Sequence, residues 1–572
     1  MKKNAIKPLF LALAGGVVLA GCDGLGKMAK NANTITYEVT PKPLEEHGDS
    51  ISITLTGKFP GKYFNKKVAV AVTPVLIHNG KETALTTRNF KGMSSQAEGT
   101  VVDFEKGASF NYTEKIAYAP DMQISELHVK AAGSKGTTKK EFIDVKVADG
   151  TITTPLLVMQ DDKPSLASDK FTKSVSKTVS ADIHFNVSQS DVRANELTKD
   201  DMKALNAFVK EGIDLGYTFL NMEVSAYASP DGEEKMNAGL AEKRANEAAN
   251  QIVNALKKAK ITAASNPEFA KKSSTPEDWE GFKNLLQKSD LKDKDLILRV
   301  LTMYPDLEQR EKEIKNMAAT YTEISDKVMP ELRRAQIKIS AEKTSRTDNQ
   351  ISALISTRPD SLSIEEILYA ATLTSDLEAK LKIYQTAEKL FSNDWRGINN
   401  VGYIYILQNK LADAQAQFEK AAKIENKNAV IKNNLGIVAH IKGDKSKAAA
   451  LFNDASADKN AQYNLGILNI QSGDYVTAVN NMSGFNTFNA ALAKLLSGNS
   501  EGALSTLEAS ADKDSALGYY LKAVIGARSG NQDLMINNMK SAIAKDASLK
   551  DKAKQDMEFQ KYKTDAAFNG IL

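Results

Sequence analysis

Apolar and polar residues alternate along the first part of the chain and recur at helical spacing along the last. Ile51, Ile53 and Leu55 alternate with Ser52, Thr54 and Thr56, the period of a half-buried strand. Val68, Val70 and Val72 repeat the signal, and Val75 to Ile77 carry it to the turn Asn79-Gly80. Further runs lie at 100–104, 109–118, 127–131 and 142–147, separated by Gly, Pro, Asn and Asp. This rhythm predicts one β-sandwich of about seven or eight strands over 34–155, a spacer or interaction module. Alternation returns at Val179, Ala181, Ile183, Phe185 and Val187. Helical spacing follows at 197–213, a strand pattern at 219–227, a turn at Ser229-Pro230-Asp231-Gly232 and a long helix at 236–257. The order β-α-β-α predicts a two-layer α/β domain over 156–345. Within it 262–330 reads as a helical insertion, with a helix start at Thr275-Pro276-Glu277-Asp278. Ala335, Ile337 and Ile339 then complete the sheet.

From 361 to 546 the apolar positions keep a helical period inside a longer one. Gly402 and Gly436 lie 34 residues apart. Val401-Gly402, Tyr405, Ala414, Phe418 and Ala421 are matched by Leu435-Gly436, Ala439, Ala448, Phe452 and Ala455. A shortened third unit starts at Leu465-Gly466 and keeps Ala478. These residues resemble tetratricopeptide repeats, about six helix pairs in all. Small residues let paired helices approach, and an aromatic fills the gap to the next pair. The resemblance implies a solenoid with a groove for protein partners. Residues 547–572 read as a polar tail that caps or frays.

The first residues read as an address. Lys2, Lys3 and Lys7 precede an apolar run from Pro8 to Ala20, too short for the ~20 residues that span a bilayer. Leu19-Ala20-Gly21-Cys22 follows and resembles the lipobox of bacterial lipoproteins. The resemblance implies removal of a signal peptide, residues 1–21, and acylation (palmitate among the chains) of Cys22. Residues 22–33 then form a tether. An acidic cluster after the cysteine is absent, which places the protein on the periplasmic side of the outer membrane.

The middle domain carries a second resemblance. Ala226 to Gly232, then Asn237, Leu240, Arg244 and Ala245, resemble the OmpA-like peptidoglycan-binding domain in spacing. In that family an Asp and an Arg grip the ends of diaminopimelate. An ammonium and a carboxylate call for one anion and one bidentate guanidinium. Ser229 stands here where the family has its Asp, a departure shared with a Bacteroidetes-type branch. The site that the resemblance implies is therefore Arg244 with Asp231, Ser229 and Asn237.

Composition narrows the function classes. Hydrophobic residues at 42% and charged residues at 26% rule out wholesale disorder. The formal charge of +4 argues against nucleic acid as a partner. Cys22 is the only cysteine, so a disulfide framework and a multi-cysteine zinc site are excluded. His47, His78, His128, His184 and His440 show no metal spacing, and no phosphate loop or nucleophile elbow occurs. No cofactor and no catalytic residue is expected. The reading is a non-catalytic outer-membrane lipoprotein that links membrane, peptidoglycan and partner proteins. Its alternatives are an interaction subunit of an envelope assembly, secretion or fimbrial machine without wall binding, and a cell-wall hydrolase.

Overall fold

The computed structural model describes residues 24–572, apart from the side chains of residues 318–320. The signal segment and Cys22 lie outside the described residues. The chain divides into two compact units. One joins residues up to Ala167 to residues from Ala387 onward, and the other is Ser168–Thr386.

The first unit opens with two sheets packed face to face. Thr36–Thr40, Ser50–Phe59 and Ala108–Ala117 form a three-stranded antiparallel sheet. A seven-stranded sheet runs Val145–Gly150, Ser125–Lys135, Ala69–His78, Arg88–Gly92, Thr100–Val102. Lys81–Ala84 pairs with Ala69–His78 and Thr138–Glu141 with Ser125–Lys135, both as short polar additions without an alternating pattern. Ile51, Ile53, Leu55, Val70, Val72, Leu127 and Val129 meet between the sheets, as their alternation requires.

One sequence expectation changes here and one is narrowed. Residues 24–33 are not a loose tether. Gly24–Lys30 is a helix whose Leu25 and Met28 are buried in the sandwich core. The Tyr63 hydroxyl donates to the Met28 carbonyl at 3.0 Å. The i, i+3 pair is simply too short to register as a helical period. Of the two roles expected of the C-terminal tail, capping is the one it takes. Ser548–Gln555 and the turns after it bury Leu549, Met557, Phe559 and Phe568 against the last repeat.

The same unit ends in five helix pairs, from Trp395–Leu407 with Leu411–Ile424 to Ala516–Ser529 with Gln532–Lys545. The repeat residues do what their spacing requires. A Cβ on Gly402 would lie 2.6 Å from the Phe418 ring, and one on Gly436 would lie 2.6 Å from Phe452. Met482 takes the aromatic's place against Gly466. Ala414, Ala448, Ala478 and Ala503 are fully buried. Sandwich and repeats pack together: His47 stacks edge-on against Tyr475, and Arg528 bridges Glu558 and Glu45.

The second unit holds a four-stranded sheet in the order Ser174–His184, Arg334–Thr344, Thr218–Tyr227, Ala270–Thr275. The last of these pairs parallel to its neighbour and the rest are antiparallel. Asp200–Asp214 and Glu234–Lys258 contribute Met202, Leu205, Phe208, Ala245, Ala248 and Ile252 to its core. The helical insertion thus starts later than 262, because Ala270–Thr275 is a strand. It sits at the sheet edge with an exposed polar face, so it shows no apolar alternation. Asp278, not Thr275, caps the first inserted helix, accepting from the Gly281 N–H. Trp279–Lys288 and the helices up to Leu332 gather round a small core of their own, with Phe282, Leu286, Ile297 and Ile314. Residues 156–167 belong to the first unit, not to this domain.

Candidate functional site

The first helix of each of the first four repeat pairs carries a buried asparagine two residues before the position of the small repeat residue. These are Asn400, Asn434, Asn464 and Asn489, all at most 1% exposed. Buried amides must find partners. Theirs are the main chain of residues 158–167, which runs extended across the repeats. Asn400 accepts from the Ala167 N–H at 2.8 Å and donates to its carbonyl at 2.9 Å. Asn434 does the same with Ser165, at 2.8 and 2.8 Å. Asn464 holds Lys163 at 2.7 and 3.1 Å, and Asn489 holds Met159 at 2.9 and 2.8 Å. Each side chain therefore reads both polar groups of one residue. The strap runs antiparallel to the array, with residue 167 at the first pair and residue 159 at the fourth.

A second tier orients the first. Asn434 also donates to Asn399, and Asn464 to Asn433, both at 2.9 Å. Asn433 donates to the Lys163 carbonyl and the Ser165 hydroxyl. The strap's acids have dedicated partners. The Tyr463 hydroxyl donates to Asp161 at 2.7 Å, and His440 Nδ1 hydrogen-bonds Asp162 at 2.9 Å. Burial pushes the Asp161 carboxyl up, against the opposing hydroxyl of Tyr463 and charge of Lys163. Burial and Asp161 in turn push the Tyr463 phenol up. The face expected to be open to partners is thus occupied by the chain itself. The signal for this was present as Asn400/Gly402, Asn434/Gly436 and Asn464/Gly466, an asparagine at one fixed offset from the small residue of each unit.

In the α/β unit the four residues singled out at the turn do come together, and each has a partner there. Arg244 is 1% exposed. Its guanidinium donates to the carbonyls of Gln189 at 2.9 Å, Tyr227 at 3.0 Å and Asn186 at 3.1 Å. Burial, together with the nearby Arg333, lowers it to about 10, with Asp231 opposing. Asn237 braces the turn by donating to the carbonyls of Ser229 and Gly232. Asp231 accepts from the Ser229 hydroxyl at 2.5 Å and from Arg333 at 2.9 Å. Arg333 was not anticipated. It ends the inserted helices next to the returning strand, and nothing in its local sequence links it to a turn 102 residues earlier.

Among the described residues no group of His, Cys, Asp or Glu is arranged to hold a metal, and no helix is long and apolar enough to cross a membrane.

No protein-family model and no curated protein matches the chain. Solved structures do resemble it. The type IV pilus biogenesis factor PilW is 18% identical, with 39% of this chain and 100% of that one covered and a TM-score of 0.27. A tetratricopeptide repeat protein from Parabacteroides merdae is 14% identical over 37% of this chain and 91% of its own, with a TM-score of 0.27. The APC/C assembly Cut9–Hcn1 is 12% identical over 60% and 77%, with a TM-score of 0.31.

Proposed function

We propose that the protein is a lipid-anchored, non-catalytic scaffold of the outer membrane, facing the periplasm, that serves as an interaction subunit of an envelope assembly. The observation that carries the reading is the asparagine ladder. It is machinery for holding extended main chain, and it uses amides and no reactive group. The groove is filled by a segment of the same chain, so a free partner would have to displace it. Recruitment therefore falls to exposed apolar positions that the strap leaves uncovered, two helical turns beyond the ladder asparagines. Leu407 and Ile441, 34 residues apart and each 46% exposed, are equivalent apolar positions on successive repeats.

The commitments of Arg244 and Asp231 favour the form of this reading without wall binding. A ligand's carboxylate would have to displace three carbonyls from Arg244, and its ammonium would have to displace Arg333 from Asp231. Photo-crosslinking in cells from positions 407 and 441, with identification of the captured chain, tests the recruitment surface. Loss of the adducts in the double variant Leu407→Asp, Ile441→Asp is expected, and their persistence overturns that surface. The purified protein is expected to stay in the supernatant with sedimented peptidoglycan and to release no muropeptides. Co-sedimentation would restore the wall-linking reading, and muropeptide release would restore the hydrolase. Labelled palmitate should enter the wild type and not Cys22→Ala.

A further inference from the structure

The chain's charge is close to balanced, yet its lysines are not evenly spread. Residues 24–34 and 58–67 contain Lys27, Lys30, Lys58, Lys62, Lys66 and Lys67 and no acid. The fold brings these two segments together. The Asn65 N–H donates to the Met28 sulfur at 3.2 Å, and the Asn65 side chain lies against Gly24. Thr138–Glu141, with Lys139 and Lys140, borders the same helix. Lys27, Lys30, Lys62, Lys66, Lys67, Lys139 and Lys140 are all exposed. Asp103 and Glu105 lie at the margin, beside Lys66 and the loop at Gly61. Next to these lysines the loop after Arg88–Gly92 is tied down by the Ser94 N–H donating to the Lys66 carbonyl at 2.7 Å. That loop presents Met93, 61% exposed.

We infer that this end of the sandwich is a membrane-facing surface that docks on anionic phospholipid. Two arguments converge. Phosphate headgroups are attracted to clustered lysines at about 1 kcal/mol each near a bilayer, and an exposed methionine suits the headgroup boundary. The second is reach. Cys22 is two residues from Gly24, so about 7 Å of chain separates its thiol from a packed helix. An acyl chain there brings this end of the sandwich, and no other, onto the headgroups. The inference rests on the membrane-anchored reading, but the surface can be tested without the lipid.

The experiment floats the unlipidated chain, from Asp23 to Leu572, with vesicles of phosphatidylcholine alone or mixed with phosphatidylglycerol. Flotation is expected only with phosphatidylglycerol, and raised salt should abolish it. Lys62→Glu, Lys66→Glu and Lys67→Glu together should weaken it about 100-fold. Reversal of the solenoid lysines Lys459, Lys513 and Lys540 should leave it unchanged. No flotation, equal flotation with both vesicles, or an equal loss in both triple variants overturns the inference. Palmitate incorporation at Cys22 is read separately, so a failure of lipidation and a failure of this surface cannot be confused.

Discussion

Asn434 and Arg244 make the same demand of their neighbours in opposite chemistry. Each satisfies buried main-chain groups of segments far away in the chain. Replacing Asn434 by Ala strands the N–H of Ser165, at about 1–3 kcal/mol, and leaves its carbonyl with the Asn399 amide alone. A loss of about 1–3 kcal/mol is expected from chemical denaturation of Asn434→Ala, and Asn434→Asp should also lose stability because its side chain keeps no donor. Arg244→Ala takes a charged donor from three carbonyls, of which Asn186 keeps the Gln189 N–H, and a loss of about 2 kcal/mol or more is expected. A residue that served only a ligand would leave the midpoint where it was. At this scale the sequence was half legible. The positions around Gly232 could be singled out by spacing, but whether Arg244 faces a ligand or three carbonyls depends on segments far apart in the chain.

Helix pairs were legible because a small residue and an aromatic at fixed offsets are a local packing rule. Gly436 against Phe452 is that rule in one contact. Phe452→Ala should cost about 3–5 kcal/mol, as removal of a fully buried ring does. The strap was not legible. It has no period of its own, since its main-chain hydrogen bonds from Met159 to Ala167 go to distant side chains. Ser165→Pro removes the N–H that Asn434 accepts while keeping an extended backbone. Limited proteolysis should then cut within residues 158–173, where the wild type resists. Equal resistance would show that the ladder does not hold the strap. The edge strand Ala270–Thr275 and the helix Gly24–Lys30 escaped notice for a related reason. One is polar on its open side, and the other is too short to establish a period.

The α/β unit is inserted between a ligand and its receptor: the strap precedes it and the repeats follow it. The two units should also answer acid differently. In the first, burial raises Asp161. A raised folded-state value means that the folded form holds the proton more tightly. Its contribution is present at low pH and is lost as pH rises through the raised value. In the second, burial would raise Glu196, but Lys199, the His184 N–H and Arg193 outweigh it and hold the carboxyl low. That contribution is present above the unfolded value, near 4.5, and is lost as pH falls through the lowered one. Thermal unfolding followed against pH should therefore show Asp161→Asn flattening the loss of stability towards neutral pH. Glu196→Gln should remove part of the acid-induced loss. A pH profile unchanged by either substitution would mean that these carboxylates do not govern it.

The sequence by itself determined what depends on neighbours along the chain: alternation for the sandwich, the 34-residue period for the solenoid, and the β-α-β-α order of the middle domain. These are local rules of side-chain direction and close packing, and one strand or one helix pair suffices to display them. Tertiary structure alone decided what each polar residue faces. It filled the repeat groove with the chain's own strap, gave Arg244 to three carbonyls and Asp231 to Arg333, and gathered lysines from three segments at one end of the sandwich. A hydrogen bond or a charge cluster between residues hundreds of positions apart leaves no periodic trace, because its partners share a place and not an interval.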